Sequence, residues 1–434
     1  MAVSRYVVES DAPDGRHRIF YNIRNGVGLK LDASHYTTME DVERVPAFRK
    51  FLVEHGFLVD SSDEEPDEVL ESYREKREAA PLHLILLVHQ NCNFRCVYCY
   101  EKFEKNKMTR EIEEGVRRFV TRRLAERKYP ALSVSWFGGE PLLAPDVIHR
   151  LSDHFKSEAQ RHRIPYVSSI TTNGYFLDGA MVSQLLADRV KSFQVTLDGT
   201  RECHDHQRVL KGGQPTYERI VGNLEGMKER PEDFQVMIRM NVGPENLRYV
   251  DDHIDAMRER FGGDRRFFLY FHNIGRWGGP NDEQVDICSE NMTVKLIGRS
   301  LEREMAAIPA AGYIEPHQTC YAANPHSFAF GVDGMAYKCT VALYDERNHV
   351  GQLHGDGTMT VYEDRLRLWT EGGVSDEGCK QCFFAPSCHG DSCPLERIDT
   401  GSQPCPDWKM QVPEMIQLMD RQSYPFAKAR ERVG

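Results

Sequence analysis

The sequence predicts an α/β protein centred on a parallel sheet of six β/α units, and three observations predict it. Short apolar runs rich in Val, Ile, Phe and Tyr recur at 82–90, 132–139, 166–174, 193–199, 235–242 and 267–273, each the length of a buried strand. Amphipathic stretches with apolar residues at helical spacing stand between them at 109–127, 145–161, 217–230 and 247–261. Strand and helix in alternation imply parallel strands, because each crossover helix returns the chain to start the next strand in the same direction. The third observation is composition: 40% hydrophobic and 28% charged residues make an ordinary globular chain, and 434 residues leave room for several domains at roughly 150 residues each.

Ahead of the sheet, residues 1–62 read as a small mixed domain, with strands at 18–21 and 28–31 and helix-like stretches at 39–45 and 47–55. Residues 63–81, dense in Asp, Glu, Lys and Arg, read as an exposed linker that turns into a solvated helix. The β/α region then occupies 82–308. From 309 to 410 the alternation fades into a stretch rich in Cys, Gly and Pro, too poor in apolar periodicity for an ordinary core, so bound metal is expected to hold it together. Residues 411–434 read as a C-terminal tail, polar and frayed from 421.

Charge narrows the partners. Against 55 Lys and Arg stand 66 Asp and Glu, a net charge of −11, so the chain repels phosphate backbones and no nucleic acid is expected as a partner. No membrane partner is expected either, since a mean hydropathy of −0.54 leaves no room for a membrane-embedded body. At the N-terminus charge and turn residues come before any apolar core of a signal peptide, which predicts a cytoplasmic location. Disulfides do not persist there, and 12 cysteines in such a chain point to metal or redox chemistry.

Chemistry in parallel barrels sits where strands end and the following loops begin. At the end of the first strand stands CNFRCVYC, which places Cys92, Cys96 and Cys99 in one tight loop. Closed zinc sites take four ligands, commonly as pairs, whereas a cubane cluster held by three close thiolates leaves one iron free to bind a small molecule. The spacing favours the cluster. At the second strand end FGGEP (137–141) offers Gly138 and Gly139 for close backbone approach and Glu140 as an acceptor for a cationic amine. Thr172 and Asn173 in TTNG, and Asp198 in TLDG, put polar groups at the third and fourth strand ends; the same residues are also common in turns.

The CxxxCxxC pattern, with aromatic Tyr98 before its last Cys, resembles the signature of the radical S-adenosylmethionine (SAM) enzymes. That resemblance implies a partial (β/α)6 barrel of the radical SAM type. It also implies a 4Fe-4S cluster on Cys92, Cys96 and Cys99, with SAM chelating the fourth iron and releasing a 5′-deoxyadenosyl radical on reduction. By the same resemblance the Gly138–Glu140 loop would meet the SAM amino group, and Thr172, Asn173 and Asp198 would lie where its ribose and carboxylate need partners. Arg208 resembles a family arginine that pairs with the SAM carboxylate or the substrate; an ordinary surface arginine is the other reading.

Seven further cysteines, Cys320, Cys339, Cys379, Cys382, Cys388, Cys393 and Cys405, follow an order that resembles the SPASM extension of radical SAM enzymes that modify peptides and proteins. The resemblance implies two auxiliary 4Fe-4S clusters, three clusters in all. Cys379, Cys382, Cys388 and Cys405 would hold one, and Cys320, Cys339 and Cys393 the other, one ligand short. Four residues separate Cys388 from Cys393, where the family usually has three. His326 stands where some relatives carry an extra Cys; it could ligate, or be a hydrogen-bonded turn residue.

Residues 1–62 resemble, more faintly, the winged-helix-like element with which peptide-modifying enzymes grip a leader sequence as an added strand. The function implied is a maturase acting on a ribosomally made precursor peptide with a leader, forming a thioether or other side-chain crosslink. An electron donor such as flavodoxin or ferredoxin is implied with it. A sulfatase-type maturase forming formylglycine is the alternative within the class, and a non-catalytic iron-sulfur electron carrier the alternative outside it.

Overall fold

The structure, a computed structural model, describes residues 1–372 and 376–428. Two compact units are present: one joins Met1–Glu78, Pro309–Ala323 and Thr370–Gly434, the other Ala79–Ile308 and Asn324–Trp369.

In the larger unit all six apolar runs are strands, Leu82–His89, Leu132–Gly138, Tyr166–Thr172, Val190–Thr196, Gln235–Val242 and Phe267–Asn273. They pair in parallel in sequence order, each crossover carrying the chain one strand along. Helices Arg110–Glu126, Pro145–His162, Gly179–Ala187, Tyr217–Lys228 and Val250–Phe261 supply the crossovers. Alternation along a strand separates two faces: Val134 and Trp136 are fully buried on the helix side, where Trp136 stacks on Phe155. On the opposite face His83, Ser135 and Ser169 form a hydrogen-bonded row across three strands, at 3.3 and 3.0 Å.

The barrel does not close. Leu82–His89 pairs not with Phe267–Asn273 but, in parallel, with Ser327–Phe330, from which Met335–Tyr337, His349–Leu353 and Met359–Val361 continue the sheet antiparallel. Part of the segment expected to depend on metal is therefore ordinary sheet. Phe330 packs edge-on against Phe119 of the first crossover helix. The run Ser327–Phe330 is only four residues long and is followed closely by Gly331 and Gly334, which hides it among turns.

In the smaller unit Val7–Asp11, His17–Asn22 and Val27–Asp32 form an antiparallel meander, followed by helices Met39–Glu43 and Pro46–Glu54. Phe20, Leu29, Leu31, Met39, Val42, Leu52 and Phe57 make its core. Helix Glu65–Glu78 is not solvated all round: Val69 and Tyr73 are buried, and Tyr73 stacks flat on His389 at 4.1 Å. The expected tail opens with helix Val412–Arg421, whose Val412, Met415, Ile416 and Met419 are buried at the helical repeat; residues 429–434 lie outside the described residues. Among the described residues no helix is long and apolar enough to cross a membrane.

Buried neutral imidazoles make the fold sensitive to acid. His253 is fully buried with Nδ1 3.0 Å from the Gly199 carbonyl, and burial pushes its pKa down to about 4 from an ordinary 6.5. Burial holds His83 at about 4 as well. Each ring must stay neutral in the fold and charges freely once unfolded, so stability is complete above pH 6.5 and drains away as pH falls toward 4. A shift of this size corresponds to roughly 3 kcal/mol per ring. Urea unfolding followed by circular dichroism is expected to give a flat stability from pH 8 to 7 and a steep loss from 6.5 to 4; a flat profile across that lower window would contradict it.

Candidate functional site

The second strand ends against the first by backbone alone. The N–H groups of Gly139 and Glu140 donate to the carbonyls of His89 and Asn91, both at 3.0 Å, at the point where the chain enters the cysteine loop. Gly138 has φ +130°, and a Cβ there would stand 2.2 Å from the His89 oxygen; at Gly139 it would stand 2.6 Å from that of Asn91. Only glycines permit this approach. Gly139→Ala is expected to push residues 91–92 aside and cut the iron held by the cysteine loop by at least half, with unchanged secondary structure; full iron retention would show that the close approach is dispensable.

Glu140 is fully buried. Its Oε1 accepts from the Leu142 N–H at 2.9 Å and the Thr172 hydroxyl at 2.8 Å, and its Oε2 from the Asn173 N–H at 2.8 Å. Burial pushes the carboxyl up to about 7, with those donors pulling it back down. Sequence reading offers Glu140, Thr172 and Asn173 to a small molecule; in the structure they join the second and third strand ends to each other. Asn173 continues toward the cysteine loop, its Nδ2 donating to Asn93 Oδ1 at 2.8 Å and lying 3.7 Å from Cys92 Sγ.

Tyr98 is the second anchor of that loop. Its hydroxyl donates to the Asp198 carboxylate and accepts from Arg208 Nη1 at 2.6 Å and Asn241 Nδ2 at 2.9 Å. Asp198, fully buried, also accepts the Asn241 N–H at 2.7 Å. Arg208 is no surface arginine. Its side chain is 7% exposed and 3.9 Å from Asp198, and its backbone pairs with Cys96 in a two-stranded ladder, Phe94–Cys96 against Arg208–Leu210. Burial opposes its charge, but Cys96, Tyr98 and Asp198 outweigh burial and keep the guanidinium protonated. Asn241 is absent from the sequence-predicted set; its signal is a lone amide near the end of the apolar run QVMIRMNV.

The donor set suits an iron-sulfur cluster. Burial raises all three thiols, Cys92 to about 12, so metal in place of the protons is what would make them thiolates. The three thiols come from one tight loop, the donor set of a cluster that takes three protein ligands. Beside it Arg208 Nε and Asn93 Nδ2 are buried donors with no hydrogen-bond partner, available to sulfide or carboxylate. A cleft of about 170 Å³ opens next to Tyr98, lined also by Val97, Gln207, Pro244, Ile274 and Asp286, at the ends of the fifth and sixth strands.

The smaller unit brings Cys379, Cys382, Cys388 and Cys405 within electrostatic reach of one another. Burial raises Cys388 to about 12, and the other three push it the same way. Lys409 Nζ lies 3.6 Å from Cys405 Sγ, and the Cys379 N–H caps onto Asp376 at 3.0 Å. The longer Cys388–Cys393 spacing is taken up in a turn where His389 is left-handed, φ 48°. Cys320 donates its N–H to the Asp391 carbonyl at 2.9 Å, alongside Cys393 in sequence. Cys339 belongs to the larger unit, its N–H on Asn348 Oδ1 at 2.9 Å. His326, 6% exposed, packs its ring edge-on to Tyr129 at 5.4 Å.

Residues 86–257 match the Radical SAM superfamily. The radical SAM cyclopropyl synthase TigE of Paramaledivibacter caminithermalis is 26% identical over 274 residues, covering 53% of this chain and 55% of that protein; the chain thus spans about half the length of that relative. The serine-type anaerobic sulfatase-maturating enzyme of Bacteroides thetaiotaomicron is 25% identical over 367 residues, covering 74% of this chain and 84% of that one. Among solved structures, anSMEcpe with bound AdoMet superposes with a TM-score of 0.57 at 17% identity, over 79% of this chain and 94% of that one. Streptococcus suis SuiB bound to precursor peptide SuiA superposes with a TM-score of 0.51 at 14% identity, over 93% and 97%. At those identities the two structures share the fold.

Proposed function

We propose, from the match of residues 86–257 to the Radical SAM superfamily, that the chain is a maturase that removes hydrogen from an unactivated carbon of a precursor peptide and closes a thioether or other side-chain crosslink. Bound SAM and its 4Fe-4S cluster supply the radical chemistry; the protein holds and orients. Cys92, Cys96 and Cys99 would hold that cluster, and the Gly138–Gly139 backbone and the Tyr98–Asp198–Arg208–Asn241 network fix the loop that would present it. Cys379, Cys382, Cys388 and Cys405 would hold one auxiliary 4Fe-4S cluster, and the order of Cys320, Cys339 and Cys393 in the sequence would supply ligands to a second.

The observation that carries the reading is the gathering of those four cysteines in the same compact unit as the N-terminal sheet. Crosslinking removes two electrons and two protons from the peptide: the abstracted hydrogen atom carries one of each, the remaining proton passes to solvent, and the remaining electron needs an acceptor, which a cluster on those four cysteines would supply. The N-terminal sheet is the grip for the leader. A soluble donor such as flavodoxin or ferredoxin delivers the initiating electron in the cytoplasm.

The test is anaerobic incubation of the reconstituted chain with SAM, dithionite and short peptides encoded beside its gene, read by mass spectrometry. Loss of two hydrogens with a crosslink that resists thiol alkylation is expected. The likeness to the Bacteroides thetaiotaomicron enzyme over 84% of its length favours a second reading, oxidation of Cys or Ser to formylglycine. A hydrazide-reactive aldehyde on the product would establish that reading and overturn the crosslink.

A further inference from the structure

The face of the six parallel strands that turns away from the helices is polar, and Arg239 brings to it a charge without a counter-charge. Alternate residues of strand Gln235–Val242 place Met237, Arg239 and Asn241 on that face. The same face carries the His83, Ser135 and Ser169 row and continues through Thr171, whose hydroxyl accepts from Gln194 Nε2 at 3.4 Å. Arg239 lies opposite Thr196 on one neighbouring strand and Tyr270 on the other. Its Nε donates to Asn241 Oδ1 at 2.7 Å, and its guanidinium stands 5.8 Å from the centre of the Tyr270 ring. Among the described residues no carboxylate comes within ion-pair distance of Arg239, and neither its two Nη groups nor the Tyr270 hydroxyl has a hydrogen-bond partner in the protein.

Nothing beside this cation balances it. Thr171 and Gln194 are uncharged, and burial, with the Arg239 charge adding to it, pushes His272 down to about 3. Asp198, the acid whose ionisation Arg239 favours, is fully buried and already accepts from the Tyr98 hydroxyl and the Asn241 N–H. A half-buried guanidinium attracts an anion more strongly than a surface one, because less water screens it, and its two Nη groups match a carboxylate in parallel hydrogen bonds. Position separates it from Arg208. The backbone of Arg208 pairs with Cys96 and its Nε is unpartnered, so Arg208 is the cation placed for a group bound at the cysteine loop itself. Asn241 holds the Tyr98 hydroxyl at 2.9 Å, and Arg239 stands two residues earlier on the same strand, about 7 Å further from the strand ends.

We propose that Arg239 is a specificity-determining residue that binds a carboxylate of the precursor peptide, an Asp or Glu side chain or the C-terminus, with the Tyr270 hydroxyl as a further donor. The proposal rests on the peptide-modifying reading above and names the chemistry of the substrate which that reading leaves open. One fixed carboxylate holds the peptide in a single register, so the carbon presented to the cysteine loop is set by its distance along the chain from that carboxylate. A peptide with an amide in its place leaves the guanidinium without an anion and is selected against.

The probes are the short peptides encoded beside the gene, labelled with fluorescein at the N-terminus and made in three forms: as encoded, with every Asp and Glu replaced by Asn and Gln, and with a C-terminal amide. Each is titrated by anisotropy into the reconstituted full chain. One neutralised form is expected to bind at least tenfold more weakly than the encoded peptide, and which form does so identifies the source of the carboxylate. In Arg239→Gln that difference should vanish, a result that a merely structural arginine would not give. Tyr270→Phe, which deletes one hydroxyl, should narrow the difference at least threefold and serves alone if Arg239→Gln fails to fold. Equal binding of all three forms, binding of none, or a difference that survives in Arg239→Gln overturns the proposal. So does a tenfold loss of SAM affinity in Arg239→Gln with peptide discrimination unchanged, which would assign the residue to the SAM carboxylate. Crosslinking of the neutralised peptides at an undiminished rate overturns this proposal and leaves the maturase reading intact; discrimination that depends on Arg239, with no peptide modified under SAM and dithionite, overturns the maturase reading instead.

Discussion

Replacing Cys92, Cys96 and Cys99 together by Ala is expected to abolish 5′-deoxyadenosine formation from SAM and to lower bound iron by about four per chain, the content of one cubane cluster. The remaining iron should persist, because Cys379, Cys382, Cys388 and Cys405 lie in a different compact unit. The three thiols sit in a loop fixed at both ends, by the Gly139 and Glu140 N–H groups at its start and by Tyr98 near its end. Removing sulfurs should therefore delete ligands without unfolding the frame. Electron paramagnetic resonance of the reduced variant checks this: one cluster signal is lost and the others stay. Cleavage of SAM by the triple variant would refute the assignment of that loop.

Arg208→Met is expected to be nearly as damaging, by a different route. The fully buried Asp198 would lose its nearest cation, at 3.9 Å, and Tyr98 a donor at 2.6 Å. Leaving a buried charge unpaired costs about 3–5 kcal/mol, enough to release the Tyr98 anchor and with it the cysteine loop. Deoxyadenosine formation should fall at least a hundredfold, with a lower urea midpoint. Adding Asp198→Asn removes the stranded charge, so the double variant should regain most of the stability. Activity that returned in step with stability would show Arg208 to be structural only; stability without activity would place its guanidinium against a ligand.

What the sequence makes legible follows the range of the interactions. The six strands announce themselves because burial on both faces demands continuous apolar runs, and the cysteine triad because its ligands fall within eight residues. Tyr98, Asp198, Arg208 and Asn241 are different: the Tyr98–Asp198 contact joins residues 100 apart, and nothing local in VYC or LDG says that the two meet. Glu140 reads as an open acceptor because its three donors come from Leu142, Thr172 and Asn173, two of them across a crossover helix. The smaller unit is assembled from three stretches separated by most of the larger one, an arrangement that composition cannot reveal. Helix Val412–Arg421 was available to a periodicity argument and is obscured by the polar residues that follow it.

The most direct test of the central claim is iron and acid-labile sulfide in the anaerobically reconstituted chain, followed by assay for 5′-deoxyadenosine after SAM and dithionite are added. About twelve irons with matching sulfide, and deoxyadenosine formed, is the predicted result for three 4Fe-4S clusters. Zinc in place of iron, or a full complement of iron with no cleavage of SAM, would contradict it.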